Sequence, residues 1–386
     1  DLFTDEPKRW LGVLQDGHIY YRQSLKALAG KEASGLYYDL KWGEEAYARA
    51  CLRLFLKQVM LQAMLAARLY GSESASFRVS MPNAMPLHKR EAYLEMARGL
   101  SRELAQETGL PITPGVPSVL YATENQADGL YFRSRSEVNV QSGYLNLDVG
   151  GGTADISLWL GGRRLAAIES SLLLGCRQML FDSLMERHRQ EVKEDFAYGS
   201  LEKATQEVTE VYEAEGDTVR GRHKCLLLMD DLFASYAEDI RRCMAQARSA
   251  GRISYVESLL LFSFGFLFTL CGEVLERARR EESLSALLPQ RMELCIAGNG
   301  GQLVKAFSDE QRTRLCALTL SRLSSSHPLQ LVLPVQSRHP KQEAARGLLY
   351  DDSCLQSAIQ GADRWNGTFD GQPVPDLITD YLSLFY

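Results

Sequence analysis

The sequence predicts an α/β protein built on a mixed sheet, and three observations carry that prediction. Residues 145 to 160, LNLDVGGGTADISLWL, place alternating apolar and polar residues on both sides of a glycine turn, the two-residue period of paired strands. Residues 44 to 70, EEAYARACLRLFLKQVMLQAMLAARLY, contain neither Gly nor Pro and read as a long helix. Short apolar runs such as FRVSM (77 to 81) and MELCIA (292 to 297) recur between such helices as strands of βα steps.

The bulk numbers bound the answer. A chain of 386 residues, 45% of them hydrophobic, is long enough for two domains or one bilobal body. Acidic residues outnumber basic ones, 49 to 43, and no dense Lys/Arg block stands out, so no nucleic-acid partner is expected. The eight cysteines are scattered without a CxxC, and the six histidines without an HExxH. That pattern argues against a disulfide framework or a metal held by protein side chains alone, and predicts a reduced, cytoplasmic setting. The apolar run Ser258 to Gly272 falls short of the roughly 18 residues a membrane span needs, and Glu257 and Glu273 close it. It reads as a buried core helix, so no membrane partner is expected.

Taken in order, the first forty residues carry a DG turn between apolar flanks and predict a hairpin or irregular strand pair. The helix over 44 to 70 stops at Gly71. Strand 77 to 81 follows, then a loop marked by Pro82 and Pro86, then an amphipathic helix stopped by Gly109. PSVLYATENQADGLYF starts as a strand after Pro117 and turns helical into Tyr131. In YLNLDV, Leu145, Leu147 and Val149 share one face and Tyr144, Asn146 and Asp148 the other. ADISLWL and, after a GGR turn, RLAAIES repeat the alternation, so three antiparallel strands are expected. Residues 176 to 282 are mostly helical; MELCIA leads into GNGG and a helix, and LQLVLP (329 to 334) is a further strand.

The chemistry concentrates in the glycine turn. Gly150, Gly151 and Gly152 can aim several backbone N–H groups into one concavity, since glycine reaches positive φ without a Cβ clash, and such a nest suits phosphate. Thr153 adds a hydroxyl at the rim. Asp148 and Asp155 stand beside the turn, where they can hold magnesium through water. Carboxylates beside a phosphate cradle repel the ligand unless a divalent cation intervenes. On the GGGT letters alone, an ordinary turn and a phosphate cradle both stand.

The wider context resolves the choice. LDVGGGTADIS resembles the second phosphate-binding segment of the actin/Hsp70 ATPase superfamily, most closely the Hsp70-type form. Other segments resemble that family in its order. FRVSMPNAMPLHKREAYLEMARGLSRELAQETGL is similar to the strand, loop and helix before the connecting segment. ATENQADGLYF is similar to the connecting segment itself, with Asn125 in place of the usual proline, and the resemblance makes Glu124 the carboxylate beside the hydrolytic water and magnesium. LLLGCRQMLFDSLM resembles the helix start after the phosphate hairpin through Gly175, Phe181 and Asp182. LCIAGNGGQLVKAF resembles the adenosine segment, implying nucleotide contacts at Gly298, Asn299, Gly300 and Gly301. HPKQEAARGLL (339 to 349) resembles the helix running back toward the first lobe.

The resemblance extends to three further positions. FTDEPKRWLG is similar to the segment whose lysine reaches the γ-phosphate, which implies a catalytic Lys8. Glu238, Arg241 and Arg242 share the spacing with which the family's second lobe grips adenine, although Glu and Arg three or four apart also form ordinary surface pairs on a helix. The family's first phosphate loop, Asp-x-Gly-Thr/Ser, is not found in residues 1 to 60, which implies that Asp1 is a truncation point and that turnover by this chain is weak or lost.

The fold so implied is α/β, a two-lobed actin-like ATPase fold with mixed sheets of the ribonuclease-H-like type, its first lobe incomplete. Residues 1–143 form the first lobe, 144–345 the second with a helical subdomain over about 200–290, and 346–386 a returning helix and tail. The implied cofactors are ATP or ADP with Mg²⁺, with Asp148, Thr153 and Glu124 placing water and metal. The implied function is ATP hydrolysis driving lobe closure, coupled to a protein client or partner. A filament-forming actin-like protein and a non-hydrolysing nucleotide-binding scaffold are the alternatives.

Overall fold

In the computed structural model the described residues run from 46 to 350, except 83–84, 136–137, 140–141, 162–165, 173, 177–178, 180–193, 197–198, 216–217, 324–328 and 338–341, with three two-residue strands beyond. The predicted N-terminal hairpin, Lys8 and Asp182 lie outside the described residues. These residues form two compact units, one ending at Tyr121 and the other continuing from Ala122.

The first unit holds helix α1 (Ala46–Leu69), strand β1 (Phe77–Met81) and helix α2 (Leu87–Thr108), and strand β2 (Val119–Thr123) pairs with β1 as the chain leaves it. Leu56, Met60 and Met64 recur at helical spacing on α1 and pack on Leu100 and Leu104 of α2. Lys57 bridges Glu103 and Glu107 at 2.6 and 2.7 Å along the rim of that contact. Gly109 ends α2 in the left-handed region, φ 65°, as a C-terminal glycine does.

The second unit opens with helix α3 (Glu124–Arg133), followed by β3 (Tyr144–Val149), β4 (Ala154–Trp159) and β5 (Ile168–Leu172). Helices α4 (Gly199–Glu215), α5 (Val219–Ser249) and α6 (Tyr255–Arg280) come next. After them lie β6 (Arg291–Ala297), a helical turn at Gly298–Gly301, helix α7 (Asp309–Ser321), β7 (Gln330–Gln336) and the short helix α8 (Glu343–Leu348). The two-residue strands β8 (Asp363–Arg364), β9 (Thr368–Phe369) and β10 (Gln372–Pro373) complete the described chain.

The main sheet runs β7-β6-β3-β4-β5-β8. Strands β3, β4 and β5 form an antiparallel meander, while β6 and β7 add on the far side of β3, β6 parallel to β3 and β7 parallel to β6. A three-strand meander extended by two parallel strands beside its first member is the ribonuclease-H-like arrangement the resemblance implies. The α/β class and the mixed sheet are as expected. Helix α3, placed with the first lobe by the sequence boundary at 143, belongs to the second unit.

One face of the sheet is conventionally apolar: Leu145, Leu147, Val149, Ile156, Leu158, Leu294 and Ile296 join one core with α6. The other face is polar yet buried. Across the strands it carries Tyr144 opposite Trp159, then Asn146–Ser157–Glu169, then Asp148–Asp155–Ser171. Helix α3 covers this face. Tyr144 Oη donates to the Gly129 carbonyl at 2.7 Å, and Gly129 has to be glycine because a Cβ there would stand 2.1 Å from the Trp159 ring.

Helix α6 differs from the expectation in length. The apolar run was too short to span a bilayer, but the helix has 26 residues and passes a length and composition test for spanning, as does residues 49–69 of α1. Carboxylates at and beyond both ends of the apolar run are accommodated by partners, Glu273 among them through Arg322. Glu257, wholly buried, pairs with Arg248 and accepts from Gln311 Nε2 at 2.7 Å. Glu276 accepts from Arg279 at 2.7 Å. The expected burial of α6 holds: Phe264, Leu267, Phe268 and Cys271 are enclosed in the core, and Ser254 caps the first turn by accepting from Glu257 N at 3.0 Å.

Candidate functional site

Because β3 and β6 are parallel neighbours, the turns that leave their C-terminal ends emerge side by side. Asp148 stands opposite Ala297 in the register, so Val149–Gly150 and Gly298 are the next residues out on adjacent strands. In open α/β sheets, ligands bind at such carboxyl ends, where the connections diverge. The two glycine segments singled out in the sequence, 150–153 and 298–301, therefore share one location.

Their contact is tight. A Cβ on Gly298 would stand 2.2 Å from Asp148 Oδ1 and 2.4 Å from the Val149 carbonyl oxygen; one on Gly300 would stand 2.7 Å from that oxygen and 2.4 Å from Cys176 Sγ. Gly298 also has φ 75°, a conformation that costs an L side chain about 1–2 kcal/mol. Asn299 is half-buried between the buried Gly298 and Gly300.

The hairpin glycines work differently from the expectation. Positive φ is absent from Gly150, Gly151 and Gly152. The turn closes through Gly150 N donating to the Thr153 carbonyl at 2.9 Å, an ordinary hairpin closure. Close approach is what demands glycine at 175 instead: a Cβ there would stand 2.4 Å from the Gly151 carbonyl, and Cys176 N donates to the Gly150 carbonyl at 3.0 Å. Gly151, Gly152 and Thr153 are themselves half-buried, so the outer rim of the turn remains reachable by a ligand.

Helix α3 delivers Glu124 to the same end of the sheet. Thr123 caps the helix by accepting from Gln126 N at 3.0 Å, and its hydroxyl also donates to the buried Glu169 of β5 at 3.2 Å. Gln126 Nε2 donates to Glu169 as well. Asn125, where the resemblance has proline, donates from Nδ2 to the Ser170 carbonyl at 3.1 Å. The helix start is thereby clamped to β5, and Glu124 comes within electrostatic range of Asp155.

The acidic character is stronger than the sequence suggested. Burial, then the charges of Glu124 and Asp148, raise the Asp155 carboxyl to about 8. Burial also pushes Asp128 well above the carboxylate range, aided by the charge of Asp148, a hydrogen bond to it, and the charges of Glu343 and Glu124. Asp155 Oδ1 and Asp128 Oδ2 are buried with no hydrogen-bond partner. A site with this much mutual repulsion fits a divalent cation brought in with an anionic ligand. Among the described residues no three His, Cys, Asp or Glu side chains are arranged to hold a metal directly.

The proposed adenine grip is placed near the turn but engaged elsewhere. Glu238 and Arg241 pair with each other at 2.5 Å and Arg242 pairs with Asp239, all on α5, as in the surface-pair alternative. Arg241 also stands near Lys305, whose pKa is lowered first by burial and then by that arginine. Sequence reasoning did not single out Lys305, Asp128 or Glu343. Glu343 of α8 is buried and accepts from Gly298 N at 3.4 Å. No sequence signal marked it, because the partner lies 45 positions away.

No family model matches the chain, and no curated protein matches it. Among the solved structures similar to the chain are the following two. The ethanolamine utilization protein EutJ from Carboxydothermus hydrogenoformans is 11% identical, with 77% of this chain and 74% of that one covered and a TM-score of 0.37. MreB5 of Spiroplasma citri, solved bound to ADP, is 12% identical, with 81% and 77% covered and the same TM-score, 0.37.

Proposed function

We propose that this chain is a nucleotide-binding domain of the actin/Hsp70 type that takes ATP or ADP with Mg²⁺ where the 150–153 and 298–301 turns meet. One observation carries the reading: two glycine turns that lie far apart in sequence sit against each other at the carboxyl ends of parallel strands, with Asp148 between them. Adjacent turns of exposed backbone beside a carboxylate suit phosphate and its metal better than either component alone.

In this reading the hairpin backbone and the Thr153 hydroxyl receive terminal phosphate oxygens, and the 298–301 turn receives the nucleoside side. Asp148 and Glu124 orient metal-bound and attacking water, and Asp155 completes the acidic edge. The magnesium ion supplies charge neutralisation for the phosphates when it is bound. The chain's own part is placement and electrostatics, without a covalent intermediate. Nucleotide state then acts on a protein client or partner through a hinge-type change.

Calorimetric titration tests the reading. Mg-ADP is expected to bind the wild-type chain, with at least tenfold loss in Asp148→Ala and a smaller loss in Thr153→Ala. A wild-type chain that shows no heat with Mg-ADP or Mg-ATP up to millimolar concentration would sink it.

A further inference from the structure

The helices α3 and α8 cross at backbone contact. A Cβ on Gly347 would lie 1.6 Å from the Ala127 carbonyl oxygen and 3.0 Å from Tyr131 N, so glycine alone lets the two helices approach this closely. Each helix carries a buried carboxyl group into the region behind the two turns. From α3 comes Asp128, 2% exposed and hydrogen-bonded to Asp148. From α8 comes Glu343, 3% exposed, whose Oε1 accepts from Gly298 N, and whose charge bears on Asp128.

A buried carboxylate costs several kcal/mol unless something binds it, so Glu343 has to be held by the groups around it. The acceptor it offers goes to the first residue of the 298–301 turn, at the one glycine there with positive φ. A side chain from a third element is thus fastened to the first residue of the turn, where glycine's conformational freedom would otherwise leave the backbone loosely defined. On the other side, Asp128 is fastened to the aspartate at the end of β3.

We infer that Glu343 is a positioning residue: it holds the Gly298–Gly301 turn in its receiving conformation and, with Asp128, ties both turns to the α3–α8 crossing. The inference rests on the nucleotide reading for its functional meaning, while the fastening itself exists without any ligand. Asn146 supports the same picture. It lies on the face of β3 between Tyr144, which bonds Gly129, and Asp148, which bonds Asp128, so it faces α3; it is wholly buried, with both amide atoms unpartnered.

Two measurements on one set of variants test it. Hydrogen exchange of the ligand-free protein is expected to show the 298–301 amides at least tenfold faster in Glu343→Ala, and faster also in Glu343→Asp, whose shorter side chain falls short of Gly298 N. Glu343→Gln keeps an acceptor oxygen and is expected to restore most of the protection. Titration with Mg-ADP is expected to follow the same order, with roughly five- to twentyfold weaker binding for Ala and recovery for Gln, which also removes one negative charge from beside Asp128.

Unchanged exchange at 298–301 in both Glu343→Ala and Glu343→Asp would overturn the inference, as would Glu343→Gln failing to the same degree as Ala. If Glu343→Ala does not fold, Asp against Gln decides the matter. A wild-type protein that binds no Mg-ADP overturns the nucleotide reading instead, and the exchange comparison still decides whether Glu343 positions the turn.

Discussion

Gly175 lies so close to Gly151 that a Cβ added to it would stand 2.4 Å from both the carbonyl carbon and the oxygen of Gly151. The segment after β5 is therefore the floor on which the 150–153 hairpin rests. Gly175→Ala is expected to displace the hairpin, costing about 1–3 kcal/mol of stability as other overpacked substitutions do. Mg-ADP affinity should fall by at least tenfold. Thermal unfolding and calorimetric titration of the same sample would check both.

Glu169 holds the start of α3 by accepting from Thr123 and Gln126. Glu169→Ala leaves two buried polar side chains without their acceptor, each such loss costing about 1–3 kcal/mol. A midpoint shift in urea large enough to match a total of about 2–4 kcal/mol is expected. A shift below 0.5 kcal/mol, on the order of a surface substitution, would show that the clamp is dispensable.

The Asp155 carboxyl, raised to about 8 from an unfolded value near 3.8, sets a sign for pH dependence. Between those values the folded chain holds a proton that the unfolded chain has released, so this group makes stability fall as pH rises from about 4 to about 8, and contributes no further change above that. Asp155→Asn should flatten that part of the curve. Chemical denaturation at pH 5 and pH 8, wild type beside variant and without nucleotide, measures the difference in slope.

Arg241 distinguishes an adenine contact from a surface pair. If it serves only Glu238, then Arg241→Ala changes stability by about 0.5 kcal/mol or less and leaves Mg-ADP affinity unchanged. That is the expected outcome, since Arg241 is paired with Glu238 on the same helix; a several-fold loss of affinity with unchanged stability would identify an adenine contact instead.

The crossing of α3 and α8 offers a substitution with a large expected effect. Gly347→Ala forces the helices apart at the Ala127 carbonyl, and a loss of about 3 kcal/mol or more follows if the polar layer beneath is opened to water. Circular dichroism during thermal unfolding would report it.

Much of the second unit is legible in the letters. The alternation in YLNLDV and ADISLWL is a direct image of strand geometry, and β3, β4, β6, β7 and α3 lie within a few residues of where periodicity puts them. The site is less legible where it depends on the third dimension. Asp128 and Glu343 carry no mark in the sequence, since nothing local tells a helix face covered by another helix from one facing water. The length of α6 was missed for a related reason: Glu257 looks like the end of a buried segment, but Arg248 and Gln311 from other helices allow it inside. Gly150, Gly151 and Gly152 do not use the positive φ that their letters suggest, and the position that close approach reserves for glycine is 175, through a contact between segments that meet only after β4 and β5 have turned back.

The adjacency of β3 and β6 has a consequence for how the protein is made. The two halves of the site are translated far apart, with α4, α5 and α6 between them, and parallel pairing cannot form until that intervening chain has collapsed. A nascent chain released before β6 emerges would own a hairpin with nothing to close it. Ligand would then recognise only finished molecules, so that its protective effect in refolding experiments should arrive in the slowest phase and be missing from earlier ones.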